Sequence, residues 1–504
     1  MVELKDKYDV VVIGAGMGGL TCGGLLARQG KGVLICEKHV RPGGCVCGFQ
    51  RKGFTFDAIH FLISQCGPGE TLPAVLEAME AKDVIEFLRV EQKGRMMLPD
   101  LDVSFTPDTF VSELTRLFPR EAKAIEYFVA ELTELVDEAL GTRLKKPLYL
   151  MSTVEKMLFG MKVFLRQRRV FKYQSKTAAQ ILNNCFIDPR IKTIFYTIAP
   201  LERIFFMGTA WMWNDYLRKK PYYPKGGYQA LADAFAATFK NCGGTLALHT
   251  EVKRIIVENG RATGVELDDG RRIQAEQVIS NADILLTFDR LVGREHLPRG
   301  FMERLERRKI ATSAFYVYLG VDLDLSKLDF DRVTVCPFME MERLNGHLYD
   351  PENCLLVIEI PTRHYPALAP EGKHIVVLCT VANYDDFATW GLEAGGHRGS
   401  SYRTTKELVA ESLIGRAEKV ISGLSQHIVV KEAATPVTIA RYTLNRGGAS
   451  MGWDQTPEEA LKPAQITPIR QLYLVGQWTY PQGGVPGVVG SGWILSDLIK
   501  EGTI

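Results

Sequence analysis

The sequence predicts an α/β fold in which two domains are each assembled from separated stretches of the chain. Three observations predict it. A strand–turn–helix–strand unit opens the sequence, a second strand–turn–helix element closes it, and alternating strand patterns with a long helical segment fill the middle. The 504 residues are 46% apolar and 24% charged. That composition is typical of a globular protein with a large core, and it excludes disordered, collagen-like and coiled-coil chains.

The opening unit is typical of a dinucleotide site. A strand over residues 8–13 leads into the turn Gly14-x-Gly16-x-x-Gly19, a helix follows, and a second strand ends at Glu37. Gly14 permits the turn, Gly16 lets the backbone approach a pyrophosphate, and Gly19 lets the helix pack closely on the strand. Glu37, at the end of the second strand, stands where a carboxylate accepts hydrogen bonds from the ribose hydroxyl groups. The predicted binding residues of this unit are Gly14, Gly16, Met17, Gly18, Gly19 and Glu37.

Two further stretches favour FAD over a nicotinamide cofactor. Lys38, Arg41, Gly43 and Gly44 directly follow Glu37 and offer backbone N–H groups and cations to flavin phosphates or the ribityl chain, although Arg41 is equally expected on the solvated surface. Near the C-terminus a strand ends at Gly476, and the run Gly484-Val485-Pro486-Gly487-Val488 opens the last helix. The N-terminus of that helix favours negative charge on a reduced flavin ring. The sequence holds no second strand–GxGxxG–helix unit, so the electron donor or acceptor is left unassigned.

These motifs resemble the flavin amine oxidase superfamily, and within it the branch of phytoene desaturases, carotenoid isomerases and retinol saturases. The runs Gly53-Phe54-Thr55-Phe56-Asp57, Tyr223-Pro224-Lys225-Gly226-Gly227 and Val278 to Asp283 also match this branch. The resemblance implies a Rossmann-type, GR2-like FAD-binding domain, a discontinuous α+β substrate domain and a helical cap. It further implies that Glu37 holds the adenosine ribose, that Val252 meets the adenine, that Gly476 contacts the pyrophosphate, and that Gly487 and Val488, next to Pro486, contact the flavin ring. The chain departs from the desaturases at Ile59 and His60, where the desaturases usually carry glycine after the Phe-Asp-x triplet.

The two domains are expected to alternate along the chain. Residues 1–94, 226–300 and 440–504 form the predicted FAD-binding domain, and residues 95–225 and 301–439 form the predicted substrate domain with its cap. Residues 245–280 read as an antiparallel meander of four strands. The aromatic and Met-rich run 205–213 is predicted either to line an apolar tunnel or to form plain core.

One basic stretch stands out from an otherwise acidic chain. Residues 145–176 hold nine Lys or Arg and one acid, Glu155, so this window carries +8 and the remainder −6 against the overall +2. Apolar residues of 157–165 fall on one helical face, with Lys162, Arg166 and Arg169 on another. This pattern predicts an interfacial helix on an anionic membrane, with a cap helix packed inward as the alternative. Nucleic-acid binding is not expected, because no recognised motif accompanies the charge.

The sequence contains few candidate catalytic residues. His60 and Lys225 are the candidates near the flavin, with Asp215 and Glu202 as weaker acid–base candidates, and no metal site is expected. The sequence therefore predicts an FAD-dependent oxidoreductase that desaturates, saturates or isomerises a hydrophobic polyene. A soluble-substrate amine oxidase and a non-catalytic lipid carrier of the same fold are the alternatives. The charged first residues lack a secretion signal, so we expect a cytoplasmic protein, either free or peripheral at a membrane.

Overall fold

The computed structural model of the protein describes residues 3–59, 62–141, 146–197, 204–218, 220–339, 350–385, 392–393, 397–481 and 483–504. The helices of this part of the chain are α1 Met17–Arg28, α2 Thr71–Ala78, α3 Phe110–Leu117, α4 Ala122–Leu140, α5 Thr153–Arg166, α6 Arg168–Tyr173, α7 Ala178–Cys185, α8 Pro189–Tyr196, α9 Phe206–Leu217, α10 Tyr228–Asn241, α11 Ile284–Leu286, α12 Phe301–Glu306, α13 Ser400–Glu418, α14 Pro436–Thr443 and α15 Val485–Lys500.

The strands are β1 Lys7–Ile13, β2 Val33–Cys36, β3 Gly48–Arg51, β4 Phe54–Asp57, β5 Phe87–Arg89, β6 Gly94–Leu98, β7 Leu101–Phe105, β8 Tyr222–Pro224, β9 Thr245–Ala247, β10 Val252–Glu258, β11 Arg261–Leu267, β12 Arg272–Ser280, β13 Ser313–Val321, β14 Arg332–Val335, β15 Leu356–Glu359, β16 His374–Ala382, β17 Leu392–Glu393, β18 His397–Arg398, β19 Ile428–Ala434 and β20 Leu472–Leu474.

The first sheet is the predicted nucleotide-binding sheet. Its strands run in the order β10-β11-β12-β1-β2-β9, and β20 pairs with β12. Strand β1 lies between β12 and β2 and is parallel to both, and β20 is parallel to β12. The continuous run Val10-Val11-Val12 is fully buried, as expected for a strand that is covered on both faces. The carboxyl ends of these four parallel strands therefore meet at one edge, which is where ligands bind in such sheets.

One strand of the predicted meander belongs elsewhere. Strands β10, β11 and β12 form the antiparallel meander, but β9 pairs in parallel with β2. The expectation of a four-stranded meander was wrong for β9, because α10 precedes it and returns the chain alongside β2 as a crossover helix does.

The second sheet also has seven strands and is mixed. Its order is β19-β13-β16-β15-β14-β6-β7, with β14 parallel to β6 and every other pair antiparallel. We propose the domain division predicted from the sequence, because each of the two seven-stranded sheets takes its strands from one of the two predicted sets of segments, apart from Gly94 at the start of β6. The two-stranded sheet of β5 and β8 links the two sets.

Helices α3 to α9 form the predicted cap between β7 and β8. Their core is aromatic, with the ring of Phe110 packed against Phe195 and Trp213 at centroid distances of 5.6 and 4.7 Å. Within the described part of the chain, no helix combines the length and the apolar composition needed to cross a membrane.

A buried carboxylate fastens the base of the cap. Asp57, at the end of β4, accepts hydrogen bonds from the Tyr223 hydroxyl at 2.5 Å and from the backbone N–H of Tyr228 at 2.8 Å. Strand β5 pairs with β8 beside this contact. The Phe-x-Phe-Asp motif and the Pro-Lys-Gly-Gly turn, which are far apart in sequence, therefore form one structural joint.

Candidate functional site

One continuous cavity of about 1600 Å³ joins the edge of the first sheet to the face of the second. At one end it is lined by the glycine-rich turns, and at the other by strand residues and α9. Most of the predicted cofactor residues line it, namely Gly14, Gly16, Met17, Gly18, Glu37, Lys38, Gly43, Gly44, Val252, Gly476, Pro486, Gly487 and Val488.

The first turn leaves no room for a side chain at Gly16 or Gly18. A Cβ on Gly16 would lie 2.5 Å from Asn281 Nδ2, and one on Gly18 would lie 2.9 Å from Asn281 Oδ1 and 3.1 Å from the Gly476 backbone. The start of α1 has no side-chain cap, so its N–H groups are available to an anion. Gly19 has the separate packing role expected of it, because a Cβ there would lie 2.3 Å from Gly14 O.

Glu37 is held in a fixed orientation at the cavity wall. Glu37 is only 7% exposed. One of its carboxylate oxygens accepts a hydrogen bond from the backbone N–H of Ala15 at 2.8 Å, and the other accepts one from the backbone N–H of His39 at 2.9 Å. Each oxygen has further acceptor capacity. A carboxylate fixed in this way is suited to accept hydrogen bonds from the hydroxyl groups of a ribose.

The neighbouring residues divide between the cavity and the surface. Gly43 donates its N–H to Ala15 O at 2.8 Å, which ties the second glycine pair to the first turn. Burial lowers the pKa of Lys38, which lines the cavity. Arg41 is exposed, lies outside the residues that line the cavity, and donates to Gly48 O at 3.4 Å.

The C-terminal element completes the nucleotide end. Gly476 donates its N–H to Ser491 Oγ at 3.2 Å, and α15 begins after Gly484 with no side-chain cap. Two glycine-lined helix starts and a fixed carboxylate at one edge of the sheet fit a dinucleotide with two phosphates. These residues therefore fit FAD.

The structure separates the catalytic candidates. His60 and Glu202 lie outside the described residues. Lys225 is exposed, pairs with Glu86 Oε2 at 2.7 Å, and is not among the residues that line the cavity. Asp215 does line the cavity. Burial raises the pKa of its carboxyl group, and this effect outweighs the opposite effect of a hydrogen bond with Ser64.

The aromatic run that precedes Asp215 serves both predicted purposes. Residues Met207, Gly208, Trp211 and Met212 line the cavity, whereas Phe206 and Ala210 lie in the cap core. Spacings of three and four residues place the lining side chains on one face of α9.

One face of the second sheet forms the floor of the cavity. Most lining residues of five neighbouring strands alternate, as the period of two predicts: Ala314 and Tyr316, Cys379 and Val381, Leu355 (just before β15) and Val357, Arg332 and Thr334, and Gly94 and Met96. Ser313, Thr380 and Arg95 of the same strands also line the cavity. Sequence reasoning did not find these residues, because their meeting depends on long-range strand pairing. Asn281 stood in a matched motif but was not assigned a role, although it lies between Gly16 and Gly476.

Helix α5 projects its apolar face outward. No residue of α5 is buried, and Met157, Leu158, Met161, Phe164 and Leu165 are each more than half exposed. The alternative of an inward-packed helix is therefore wrong. The helix is nevertheless well formed, because Ser152 and Glu155 make a reciprocal capping box at its start.

Part of the basic charge is neutralised by the cap itself. Arg169 pairs with Glu131, Glu134 and Glu138 of α4. Lys172 also pairs with Glu131, and Lys146 pairs with Glu155. Lys156, Lys162, Arg166, Arg168 and Lys176 make no ion pair with another described residue.

Comparison with known proteins agrees with this geometry. A family model described as flavin containing amine oxidoreductase matches residues 17–499. Prolycopene isomerase 1 of an Oncidium hybrid cultivar is 31% identical, over 97% of this chain and 83% of its own length. A neurosporene-forming phytoene desaturase of Rhodobacter capsulatus is 26% identical over 97% and 94%, and an all-trans-retinol 13,14-reductase of Danio rerio is 25% identical over 94% and 83%.

Solved structures agree on the fold. A double mutant of putrescine oxidase superposes with a TM-score of 0.65 over 98% of this chain and 99% of its own, at 14% identity. The predicted fold class is confirmed, as are FAD as the cofactor and the resemblance drawn from the motifs. The chain belongs to the flavin-containing amine oxidoreductase family and is an FAD-dependent oxidoreductase.

Proposed function

We propose that the protein changes carbon–carbon bonds of a hydrophobic polyene, of the isoprenoid kind, at a membrane surface. The observation that carries this proposal is the continuous cavity, whose nucleotide end leads directly into an apolar half lined by α9 and the second sheet. Relatives along almost the whole chain support it, since their names describe an isomerase, a desaturase and a reductase of carotenoids or retinol.

In this proposal the nucleotide end of the cavity holds FAD. Gly14, Gly16, Met17 and Gly18 surround the pyrophosphate with Gly476, Glu37 holds the ribose, and Val252 lies at the adenine. Lys38, Gly43 and Gly44 adjoin the phosphates and ribityl chain, and Pro486, Gly487 and Val488 adjoin the ring. FAD supplies the hydride or electron transfer when it is bound. The apolar half of the cavity then excludes water and aligns the substrate.

A hydrophobic polyene dissolves in the membrane, so attachment of the protein to a bilayer would bring the cavity close to its substrate. The exposed apolar face of α5, flanked by Lys162 and Arg166, suits the headgroup region of an anionic membrane. The five basic residues that pair with no described acid, rather than the full +8, supply the attraction. A diffusible electron donor or acceptor is part of the proposal only for desaturation and saturation, because isomerisation needs no net electron transfer.

The test is product analysis under anaerobic conditions. Purified FAD-loaded protein is incubated with phytoene, prolycopene or retinol in anionic liposomes, with the flavin oxidised in one series and reduced in the other. Loss of two hydrogens identifies desaturation, gain of two identifies saturation, and an unchanged mass with a new retention time identifies isomerisation. No conversion in any series, with peroxide released from soluble amines, overturns the proposal in favour of an amine oxidase. Protein that extracts lipid without converting it indicates a carrier instead.

A matched pair of glycine variants ties turnover to the cavity. Gly208 lines the cavity, and a Cβ there would lie 3.0 Å from the Phe205 ring, whereas Gly415 on α13 has no atom within 4 Å of that position. We expect Gly208→Leu to lower polyene turnover and Gly415→Leu to leave it unchanged. Equal turnover by both variants contradicts the placement of substrate beside α9.

A further inference from the structure

A charged side chain lies in the apolar half of the cavity. Arg332 on β14 lines the cavity together with Thr334, whereas Val333 between them is fully buried in the core on the opposite sheet face. The side chain of Arg332 is 21% exposed. Arg95 on the neighbouring strand also lines the cavity, but it stands beside Val333 in the register, and its guanidinium pairs in a bidentate manner with Asp102 at 2.8 and 2.6 Å.

Arg332 retains hydrogen-bond donors. Its Nη1 lies 3.3 Å from Glu359 Oε1, and the Glu359 side chain is 9% exposed. Among the residues described by the structure, the Arg332 side chain makes no other ion pair and no hydrogen bond. A guanidinium carries five N–H donors, so most of them are left for water or for a ligand.

The location of Arg332 defines one end of the substrate half. Strand β13 stands on the nucleotide side, where Thr312 O accepts from Ser450 Oγ at 3.0 Å and both residues line the cavity. Strand β14 is three positions away across β16 and β15. At a strand spacing of about 4.8 Å, Arg332 lies about 14 Å from β13 across the floor. A long substrate that reaches the nucleotide end with its reacting bond therefore extends its other end toward Arg332.

The local charge selects the kind of group that fits. Glu359 balances Arg332, Asp102 balances Arg95, and the carboxyl group of Asp215 on α9 also lines the cavity. An added carboxylate or phosphate would meet no excess of positive charge. A hydrocarbon end would cover charged N–H groups without replacing their water, which is costly. A neutral oxygen avoids both penalties.

We propose that Arg332 is a specificity-determining residue that donates hydrogen bonds to a neutral oxygen, a hydroxyl or a carbonyl, at one end of the polyene. The substrate is then an oxygenated isoprenoid rather than a hydrocarbon. This inference rests on the proposed function and adds the chemical class of its substrate.

The test measures binding, separately from turnover. Dissociation constants are obtained by quenching of tryptophan fluorescence in the FAD-loaded protein, with two matched pairs of ligands: all-trans-retinol and its deoxy hydrocarbon, and 3-hydroxy-β-carotene and β-carotene. In at least one pair we expect the oxygenated member to bind about tenfold or more tightly, since hydrogen bonds to charged groups are of this strength.

Paired variants remove the charge without leaving a carboxylate unpaired. Arg332→Met with Glu359→Met replaces the ion pair by apolar side chains, a change that proteins often tolerate. The control is Arg308→Met with Glu459→Met, which makes the same chemical change at an ion pair of similar burial, with side chains 22% and 11% exposed, whose residues do not line the cavity. We expect the first double variant to abolish the preference for the oxygenated ligand and the control to keep it. If the Arg332→Met, Glu359→Met double variant does not fold, Arg332→Lys takes its place, because it retains the positive charge opposite Glu359. We expect Arg332→Lys to weaken the preference for the oxygenated ligand.

The outcomes distinguish the inference from the function on which it rests. If both members of each pair bind equally to the unmodified protein, or if the Arg332 variants keep the full preference, the inference is overturned and the polyene function stands. If no member of either pair binds, both fail.

Discussion

The outward face of α5 gives the sharpest prediction about where the protein works. Leu158, Met161 and Leu165 occupy positions i, i+3 and i+7 of this helix and are 53%, 52% and 67% exposed. Full burial of such a side chain contributes about 1.5–3 kcal/mol, so inserting the exposed halves of three contributes about 3–4 kcal/mol. The triple variant Leu158→Ser, Met161→Ser, Leu165→Ser should therefore weaken binding to anionic vesicles by a factor on the order of several hundred.

The assay is co-sedimentation with vesicles of mixed anionic and zwitterionic lipid. Folding should be unaffected, because none of the three side chains is buried in the protein, and the melting temperature provides that check. The control variant replaces Ile187, Leu408 and Leu461 by Ser. These residues are at least as exposed but do not form one face, so we expect unchanged sedimentation. A triple α5 variant that sediments like the unmodified protein refutes the docking model and leaves the FAD assignment intact.

The basic flank of α5 makes a second, separable contribution. Each cation near an anionic surface contributes about 1 kcal/mol, so Lys162→Gln with Arg166→Gln should weaken binding about thirtyfold. The loss should disappear with purely zwitterionic vesicles and shrink at high salt. Arg169 is not suitable for this test, since its guanidinium is already bound to three glutamates.

Four further predictions concern the cofactor site and the fold. Glu37→Gln should weaken FAD affinity about ten- to a hundredfold in titrations of the apoprotein, because a fixed acceptor for the ribose loses its charge. Gly19→Ala should lower the free energy of unfolding by about 1–3 kcal/mol in urea, because its Cβ meets backbone that cannot yield. Asp57→Asn should cost about 2–3 kcal/mol in the same assay, since it weakens two buried hydrogen bonds. Burial lowers the pKa of Lys462 from 10.5 to about 8, so the unfolded chain binds the additional proton between these values and this residue makes stability rise with pH across that window. Lys462→Met should remove that rise, measured as urea midpoints from pH 8 to 10.5.

Each of these has a contradicting result. Unchanged FAD titration for the Glu37 variant removes that carboxylate from the cofactor site. A Gly19 variant as stable as Gly415→Ala, where space is open, shows that the helix contact is not required. An Asp57 variant with normal stability contradicts the joint at the base of the cap. A Lys462 variant with the same pH dependence as the unmodified protein assigns the rise to other groups.

The sequence predicted what depends on neighbouring residues. The strand–turn–helix–strand unit is local, so Gly14, Gly16 and Glu37 could be assigned together, and the structure brings Gly476 to the same edge because all four strands are parallel. The fold class and the cofactor followed from these motifs.

The remainder depends on contacts that have no local signal. Arg332 meets Gly94 only because β14 and β6 pair across more than two hundred residues, and nothing near either residue indicates it. The amphipathic pattern of α5 was visible, but whether its apolar face packed inward depended on the other cap helices. Likewise, the motif that contains Lys225 was recognised, yet the ion pair with Glu86 draws that side chain to the surface.

The joint at Asp57 bears on how this architecture changes over evolution. Residues 90–221 leave and return at the paired strands β5 and β8, so the ends of this long segment are held together whatever lies between them. A segment with these fixed ends is one that recombination or engineering is able to exchange as a single piece. The piece carries β6 with it, and β6 contributes Gly94 beside Arg332. The proposed binding site for the substrate end therefore lies where residues 90–221 meet the rest of the chain. Replacing this segment would alter substrate choice, while the nucleotide-binding edge of the first sheet would stay the same.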